Sequence, residues 1–260
     1  MNAAARGPLA GKGIVVTRPA QQSERLSAQL AAAGARAILF PTIDIVAPAD
    51  PRALDALIDR LDQFDIAVFI SPNAAREAMC AVKARRAWPP ALQAATIGRG
   101  GERELTSHGI GNVIAPARFD SEALLEMPVM QAVAGRKIVI FRGDGGRELL
   151  GDTLRARGAA VEYAACYQRA LPQSDPAPLL AAWARGEIDA VAVTSSEGLA
   201  NLRGMIGAAG QAFLLRTPLF VPHPRIERAA RAAGLAAVRL TAQGDDGLLA
   251  GLTDWFGAVH

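Results

Sequence analysis

The chain has 260 residues, enough for one large domain or two small ones at roughly 100–200 residues each. Hydrophobic residues make up 51% and charged residues 20%, the balance of a globular chain that can build a core. The net charge is only +3, with no dense basic tract, which excludes a general nucleic-acid surface; two cysteines, Cys80 and Cys166, exclude a disulfide scaffold and a four-thiolate metal site.

The three histidines, His108, His223 and His260, are far apart and lack metal-ligand spacing. No stretch reaches the ~18 apolar residues of a membrane helix, and the start has no apolar signal region. A soluble cytoplasmic protein without a metal is the expectation.

Residues 13–17 (GIVVT) form a short β-branched run, the mark of a buried parallel strand. Leu26, Leu30 and Ala33 then recur at helical spacing over 21–33, and Gly34 closes that helix. Residues 37–40 are a second strand, stopped by Pro41, so the opening reads β-α-β. A Pro-bounded extended segment, 41–48, leads to a helix at 52–61, and a strand follows at 65–71. Residues 95–98 are a further strand, in which Gly98 is followed by Arg99, Gly100 and Gly101.

The opening pattern returns at 137–141 (KIVIF), followed by Arg142 and a helix ending at Gly158. Gly11 and Gly135, Arg18 and Arg142, and Gly34 and Gly158 each stand 124 positions apart. The strand at 65–71 returns at 189–195, and 95–98 returns at 219–222, while Gly109 with Gly234 and Val113 with Val238 stand 125 apart, which reads as one inserted residue. The period is too long for a solenoid, whose units run ~20–50 residues. It predicts an α/β fold of two doubly wound, flavodoxin-like parallel-sheet lobes related by internal duplication.

The extended segment at 41–48 has its counterpart at 167–172, and two such segments can pair as a two-stranded β-ladder. One lobe would then comprise 1–41 and 173–260, holding both ends. The other would comprise 48–166, with 42–47 and 167–172 as connector strands. Cys80 and Cys166 are expected in the core, Cys166 beside the connector. Tyr163 and Tyr167 share strand parity, so both are expected to face one side.

In open parallel sheets, ligands bind beyond the carboxyl ends of the strands. Thr17 and Arg18 stand there after the first strand, and Ser71, Asn73 and Ala74 after the third. Gly98 follows 95–97. Arg142, Gly143, Asp144, Gly145 and Gly146 follow 137–141. Thr194, Ser195 and Ser196 follow the 189 strand, and His223 stands between Pro222 and Pro224. Hydroxyl, amide and glycine residues recur just before helices, where free N–H groups and the positive dipole end suit anions. The same residues serve equally as helix caps and tight turns. No GxxxxGK[ST] or in-register GxGxxG occurs, which counts against a nucleotide-binding enzyme. No nucleophile–base order and no carboxylate pair stands out, so catalysis would rest on positioning and electrostatics.

The segments IVVTRP (14–19), FPTI (40–43), FISPNA (69–74), TIG (96–98), YQR (167–169) and VTSSEG (193–198) together resemble uroporphyrinogen-III synthases, over about 13–252. Ser71-Pro72 and Gly98-Arg99-Gly100 depart from the family's commoner pairings. The resemblance implies two α/β lobes joined by a β-ladder, and cyclisation of hydroxymethylbilane to uroporphyrinogen III with inversion of the last pyrrole ring and loss of water. It implies no cofactor, no nucleic acid, no membrane and a monomer, and leaves open a transient contact with hydroxymethylbilane synthase. It makes Tyr167 the proton donor. A phenol titrates near about 10, so it holds its proton at neutral pH. Thr17, Arg18, Ser71, Asn73, Ala74, Gly98, Arg142, Gly143, Thr194, Ser195, Ser196 and His223 would hold substrate carboxylates or shape the cleft. The alternative is a non-catalytic two-lobe module that binds a small acid, such as a sensor half of a regulator.

Overall fold

The computed structural model describes residues 7–117, 120–145 and 148–258, so Gly146 and His260 lie outside the described residues. The chain divides into two compact units, Met1–Asp44 with Ala170–His260, and Ile45–Arg169.

The first unit is built on a five-stranded sheet. Its strands are β1 (Gly13–Val16), β2 (Arg36–Leu39), β8 (Ala190–Ala192), β9 (Leu219–Val221) and β10 (Val238–Leu240), in spatial order β10-β9-β8-β1-β2. The β1–β2, β1–β8, β8–β9 and β9–β10 pairings are all parallel. All four residues of β1 are buried, which is why the run is apolar without alternation. Val15, Val191 and Val221 point to one face, against α8 (Ala177–Ala184), α9 (Ser196–Leu214) and α10 (Pro224–Ala232). Ile14, Val16 and Phe220 point to the other, against α1 (Glu24–Ala32) and α11 (Gly244–Gly257). Gly13 is glycine because a Cβ there would lie 1.9 Å from the Glu187 carbonyl oxygen.

The second unit holds β3 (Asp44–Val46), β4 (Ile66–Phe69), β5 (Gln93–Thr96), β6 (Lys137–Gly143) and β7 (Ala160–Ala170), in order β3-β7-β6-β4-β5. Ala67, Phe69, Val139 and Phe141 face α2 (Pro51–Ile58), α3 (Pro72–Arg85) and α4 (Arg99–Ser107). Ile66, Val68, Ile138 and Ile140 face α5 (Ser121–Glu126), α6 (Pro128–Gln131) and α7 (Leu149–Ala156). The central strands β4 and β6 thus serve two cores, one per face.

The repeat seen in the sequence recurs in the elements. β1 and β6 begin 124 positions apart, as do β2 and β7, and β4 and β8. Asp65 accepts from the Lys137 N–H and the Arg136 guanidinium at 2.8 and 2.9 Å; Asp189 accepts from the Gly13 N–H and Lys12 Nζ at 2.8 and 3.0 Å. One carboxylate thus ties the start of one strand to the next in each unit. The last strand corrects the expected insertion. Ile114 bridges Ala95 as Val238 pairs with Leu219, and both members shift by 124. α4 and α10 already begin 125 positions apart, so the extra residue enters before the helix and is recovered between the following glycine and the strand.

Two further expectations fail. The register of β6 against β7 slips between Arg142 and Gly143, where Arg142 faces Ala165 and Gly143 faces Tyr167. This bulge reverses the alternation. Tyr163 packs with the α7 face, whereas Tyr167 packs with the α3 face, so the tyrosines lie on opposite sides. Cys80 is exposed, because its position on α3 falls outside the buried stripe of Ala75, Ala78, Met79 and Val82; Cys166 is buried.

Candidate functional site

In the second unit the predicted residues gather at the carboxyl ends of β4, β6 and β7. Tyr167 is 2% exposed, and its ring lies over Gly143. A Cβ on Gly143 would sit 2.8 Å from ring atoms Cε2 and Cζ and 3.2 Å from the hydroxyl, so only glycine leaves room for the phenol. The phenol oxygen is 3.3 Å from Ser71 Oγ. Ser71 caps α3, accepting the Ala74 N–H at 3.0 Å. The Ala74 N–H is thereby taken, and Ala74 itself is fully buried. Asn73 is partly buried in the first turn of the same helix.

The backbone before Tyr167 is held by a thiol. Cys166 Sγ donates to the Arg142 carbonyl at 3.2 Å and lies 3.7 Å from the Ala74 carbonyl oxygen. Burial, then the nearby Glu77 charge, pushes this thiol up to about 12, so it stays protonated and acts only as a donor. Gly98 precedes α4 in extended conformation, and its carbonyl accepts the Glu102 N–H at 3.1 Å. Arg142 stacks 4.0 Å over the Tyr163 ring and pairs with Glu148 at 2.9 Å. Hydrogen bonds from Tyr163 and Arg142 hold the Glu148 carboxyl below its usual range.

In the first unit, Thr17 is 3% exposed and donates its hydroxyl to the Ala192 carbonyl at 2.9 Å. The Thr17 carbonyl in turn accepts the Thr42 hydroxyl at 3.1 Å, and the Thr42 carbonyl accepts Asn201 Nδ2 at 2.8 Å. Thr17 therefore fixes the strand end rather than offering a free donor. Arg18 forms an ion pair with Asp245, both side chains being mostly buried. Ser195 caps α9 by accepting the Gly198 N–H at 2.9 Å. Thr194 is partly buried just before it, and Ser196 Oγ is buried without a hydrogen-bond partner among the described residues. His223 is exposed and caps α10, its Nδ1 accepting the Arg225 N–H at 3.1 Å.

The predicted residues thus fall into two sets, one in each unit, all close to strand ends. A family model described as uroporphyrinogen-III synthase HemD matches residues 24–248. The chain belongs to the uroporphyrinogen-III synthase family. A uroporphyrinogen-III synthase of Salmonella typhimurium is 36% identical over 244 residues, covering 91% of this chain and 97% of that protein. One from Escherichia coli K12 is 34% identical over 239 residues, with the same coverage of 91% and 97%. Among solved structures, a mutant uroporphyrinogen III synthase from Thermus thermophilus superimposes with a TM-score of 0.57 at 21% identity, covering 95% of this chain and 98% of that one. The enzyme from Helicobacter pylori 26695 also gives 0.57, at 12% identity over 96% and 100% of the two chains. These likenesses show the shared α/β fold with two sheets in which parallel pairing dominates.

For a uroporphyrinogen-III synthase family member, the residues that sequence reasoning missed are mostly partners. Asp245 lies 227 positions from Arg18, and no local pattern announces it. Thr42 sits inside the FPTI segment, yet its hydroxyl chain with Thr17 and Asn201 needs the fold to be seen. No helix among the described residues is long and apolar enough to cross a membrane.

Proposed function

We propose that this family member closes hydroxymethylbilane to uroporphyrinogen III as a cofactor-independent hydro-lyase, with Tyr167 as the proton donor. The carbon–oxygen bond of the terminal hydroxymethyl group breaks, and the hydroxyl leaves as water with the Tyr167 proton. The substituted α-carbon of ring D attacks the azafulvene methylene to give a spiro intermediate; the bond from that carbon to the ring C methylene then breaks, and the free α-carbon of ring D recombines with this methylene, which inverts the ring. Closure releases one ring proton, which the Tyr167 phenolate takes back, so the net change is loss of one water. The observation that carries this reading is the single buried phenol held between Gly143 and the cap of α3. Only its oxygen has to reach the substrate, so burial of the ring is compatible with the role and keeps the donor in one orientation.

The substrate's carboxylates would dock at helix starts and hydroxyls: Ser195, Ser196 and Thr194 at α9, His223 at α10, and Asn73 at α3. Arg18 and Arg142 already carry internal acid partners, so they serve the site mainly by shaping it. Two flavodoxin-like lobes, arisen by duplication and joined by the 42–47 and 167–172 segments as a β-ladder, are the architecture that fits this substrate. In support, β3 and β7 are neighbours in one sheet.

The test is product analysis. Hydroxymethylbilane is generated in situ by its synthase, the purified chain is added, and the oxidised porphyrins are separated by isomer. Predominant isomer III is expected, and Tyr167→Phe is expected to slow its formation about 10²–10⁴-fold. Isomer I alone from folded protein would remove the enzyme reading in favour of a small-acid-binding module. Unchanged turnover in Tyr167→Phe would sink the donor role.

A further inference from the structure

We propose that Ser71 is a positioning residue for Tyr167: its hydroxyl donates to the phenol oxygen, aims the phenolic proton outward, and stabilises the phenolate left after that proton has gone. The inference rests on Tyr167 acting as the donor. It replaces the expectation that Ser71 binds a substrate carboxylate.

A serine hydroxyl has one proton and two lone pairs. Ser71 Oγ spends a lone pair on the Ala74 N–H at 3.0 Å, as the cap of α3. The phenol oxygen lies 3.3 Å from the same Oγ. Either oxygen can donate across that contact, and donation by Ser71 is the direction that keeps the cap and leaves the phenolic proton free for the substrate. The phenol oxygen then accepts from Ser71, and its own proton points away from the serine. The Tyr167 ring has little freedom to choose otherwise. Gly143 lies beneath it, and Cys166 anchors the preceding residue to the Arg142 carbonyl.

The arrangement matters most after the proton has left. A buried phenolate needs a donor, and a hydrogen bond to a charged acceptor is about twice as strong as a neutral one. Ser71 also stands at the N-terminus of a 14-residue helix, whose positive end favours a negative oxygen nearby. Ser195 is its counterpart 124 positions on, and it caps α9 in the same way. The residue matching Tyr167 there is Ile43, so the first unit keeps the cap and has no phenol for it to serve.

The experiment follows the rate of isomer III formation in single variants and in the Tyr167→Phe background. Ser71→Ala is expected to lower kcat about 10–100-fold, the worth of one hydrogen bond to a charged group, with KM nearly unchanged. Ser71→Thr keeps both hydroxyl and cap and is expected to restore most of the rate. Ser71→Asp keeps the cap but, when ionised, can only accept. It is expected to hold its melting temperature and lose at least as much rate as Ser71→Ala. In Tyr167→Phe, which has no phenolate to stabilise, Ser71→Ala is expected to cost nothing further. A loss that falls on KM, or one of equal size with and without the phenol, would return Ser71 to substrate binding and overturn the proposal. Wild-type rates in Ser71→Asp would overturn it as well. A Tyr167→Phe enzyme at full rate would remove the donor role and this inference together, while isomer III from the wild-type chain would still uphold the synthase.

Discussion

Gly143→Ala tests the geometry of the site by adding one methyl group. The new Cβ would stand 2.8 Å from Cε2 and Cζ of Tyr167. Carbon atoms pack best at about 3.5–4.0 Å, so the ring has to retreat by roughly 0.7–1.2 Å. Retreat is opposed by close packing, because Tyr167 is buried in the α3-facing core with Phe69, Phe141 and Ala74. Overpacking of this kind costs about 1–3 kcal/mol. The effect on rate should be larger than that on stability. A misplacement near 1 Å costs about 10²-fold where a reacting group must be aligned, and the shift is comparable to the slack in the 3.3 Å contact with Ser71. We expect Gly143→Ala to form isomer III about 10²-fold more slowly, to lose about 1–3 kcal/mol in chemical denaturation, and to show almost no further loss when combined with Tyr167→Phe. Tyr167→Phe alone removes the oxygen without adding volume and separates chemistry from packing. A Gly143→Ala enzyme with native rate would refute the reasoning, since it would mean that the position of the phenol over Gly143 is irrelevant to turnover.

Two other perturbations probe charges. Asp245→Asn leaves the Arg18 guanidinium without its acid partner at a site where both side chains are mostly buried, and breaking such pairs costs about 3–5 kcal/mol. Denaturant unfolding should show a loss near the lower end, since asparagine still accepts a hydrogen bond. Unchanged stability with a lowered KM would instead mean that Arg18 is held in reserve for substrate. Glu77 is half-buried on α3, and desolvation raises its pKa from 4.5. Because the folded value is raised, its stabilising contribution is present below the unfolded value and lost as pH rises through the folded one. Glu77→Gln should therefore melt higher than wild type at neutral pH, with the gap closing as pH falls below 4.5. A gap independent of pH would show that packing, not charge, sets the effect.

Much of the fold is legible because buried parallel strands write themselves as unbroken apolar runs. β1, β4 and β6 stand out in this way, and the constant spacing links the two halves. The Asp65 and Asp189 matches are visible at that spacing, but their shared work is not, since it depends on strand starts lying side by side. Tyr167 can be singled out because it is one of only two tyrosines. Its orientation cannot, since the bulge at Gly143 reverses the parity on which strand reasoning depends. The two arginines read as free cations because Asp245 is distant in sequence, and Glu148 lies six positions from Arg142 beyond a glycine turn. The break in α9 at Gly207, where φ is +60° and ψ is −170°, is also hidden, since a glycine inside an apolar helical pattern gives no sign of its conformation.

The discontinuity of the first unit has a consequence for how the chain is made. Its sheet places β1 and β2, from the first 44 residues, beside β8, which emerges only after 189 residues have been translated. Ile45–Arg169 is continuous and can close its own core on the ribosome. During that interval β1 has no β8 partner, and its fully apolar run is exposed as an unpaired strand edge, the kind of surface on which nascent chains aggregate or recruit holdases. Chains ending after residue 170, once released from the ribosome, should accordingly protect the second unit from protease while leaving the leading β-α-β open to it. The early segment has to wait through most of synthesis, and its completion, not that of the middle of the chain, sets when the protein is first able to work.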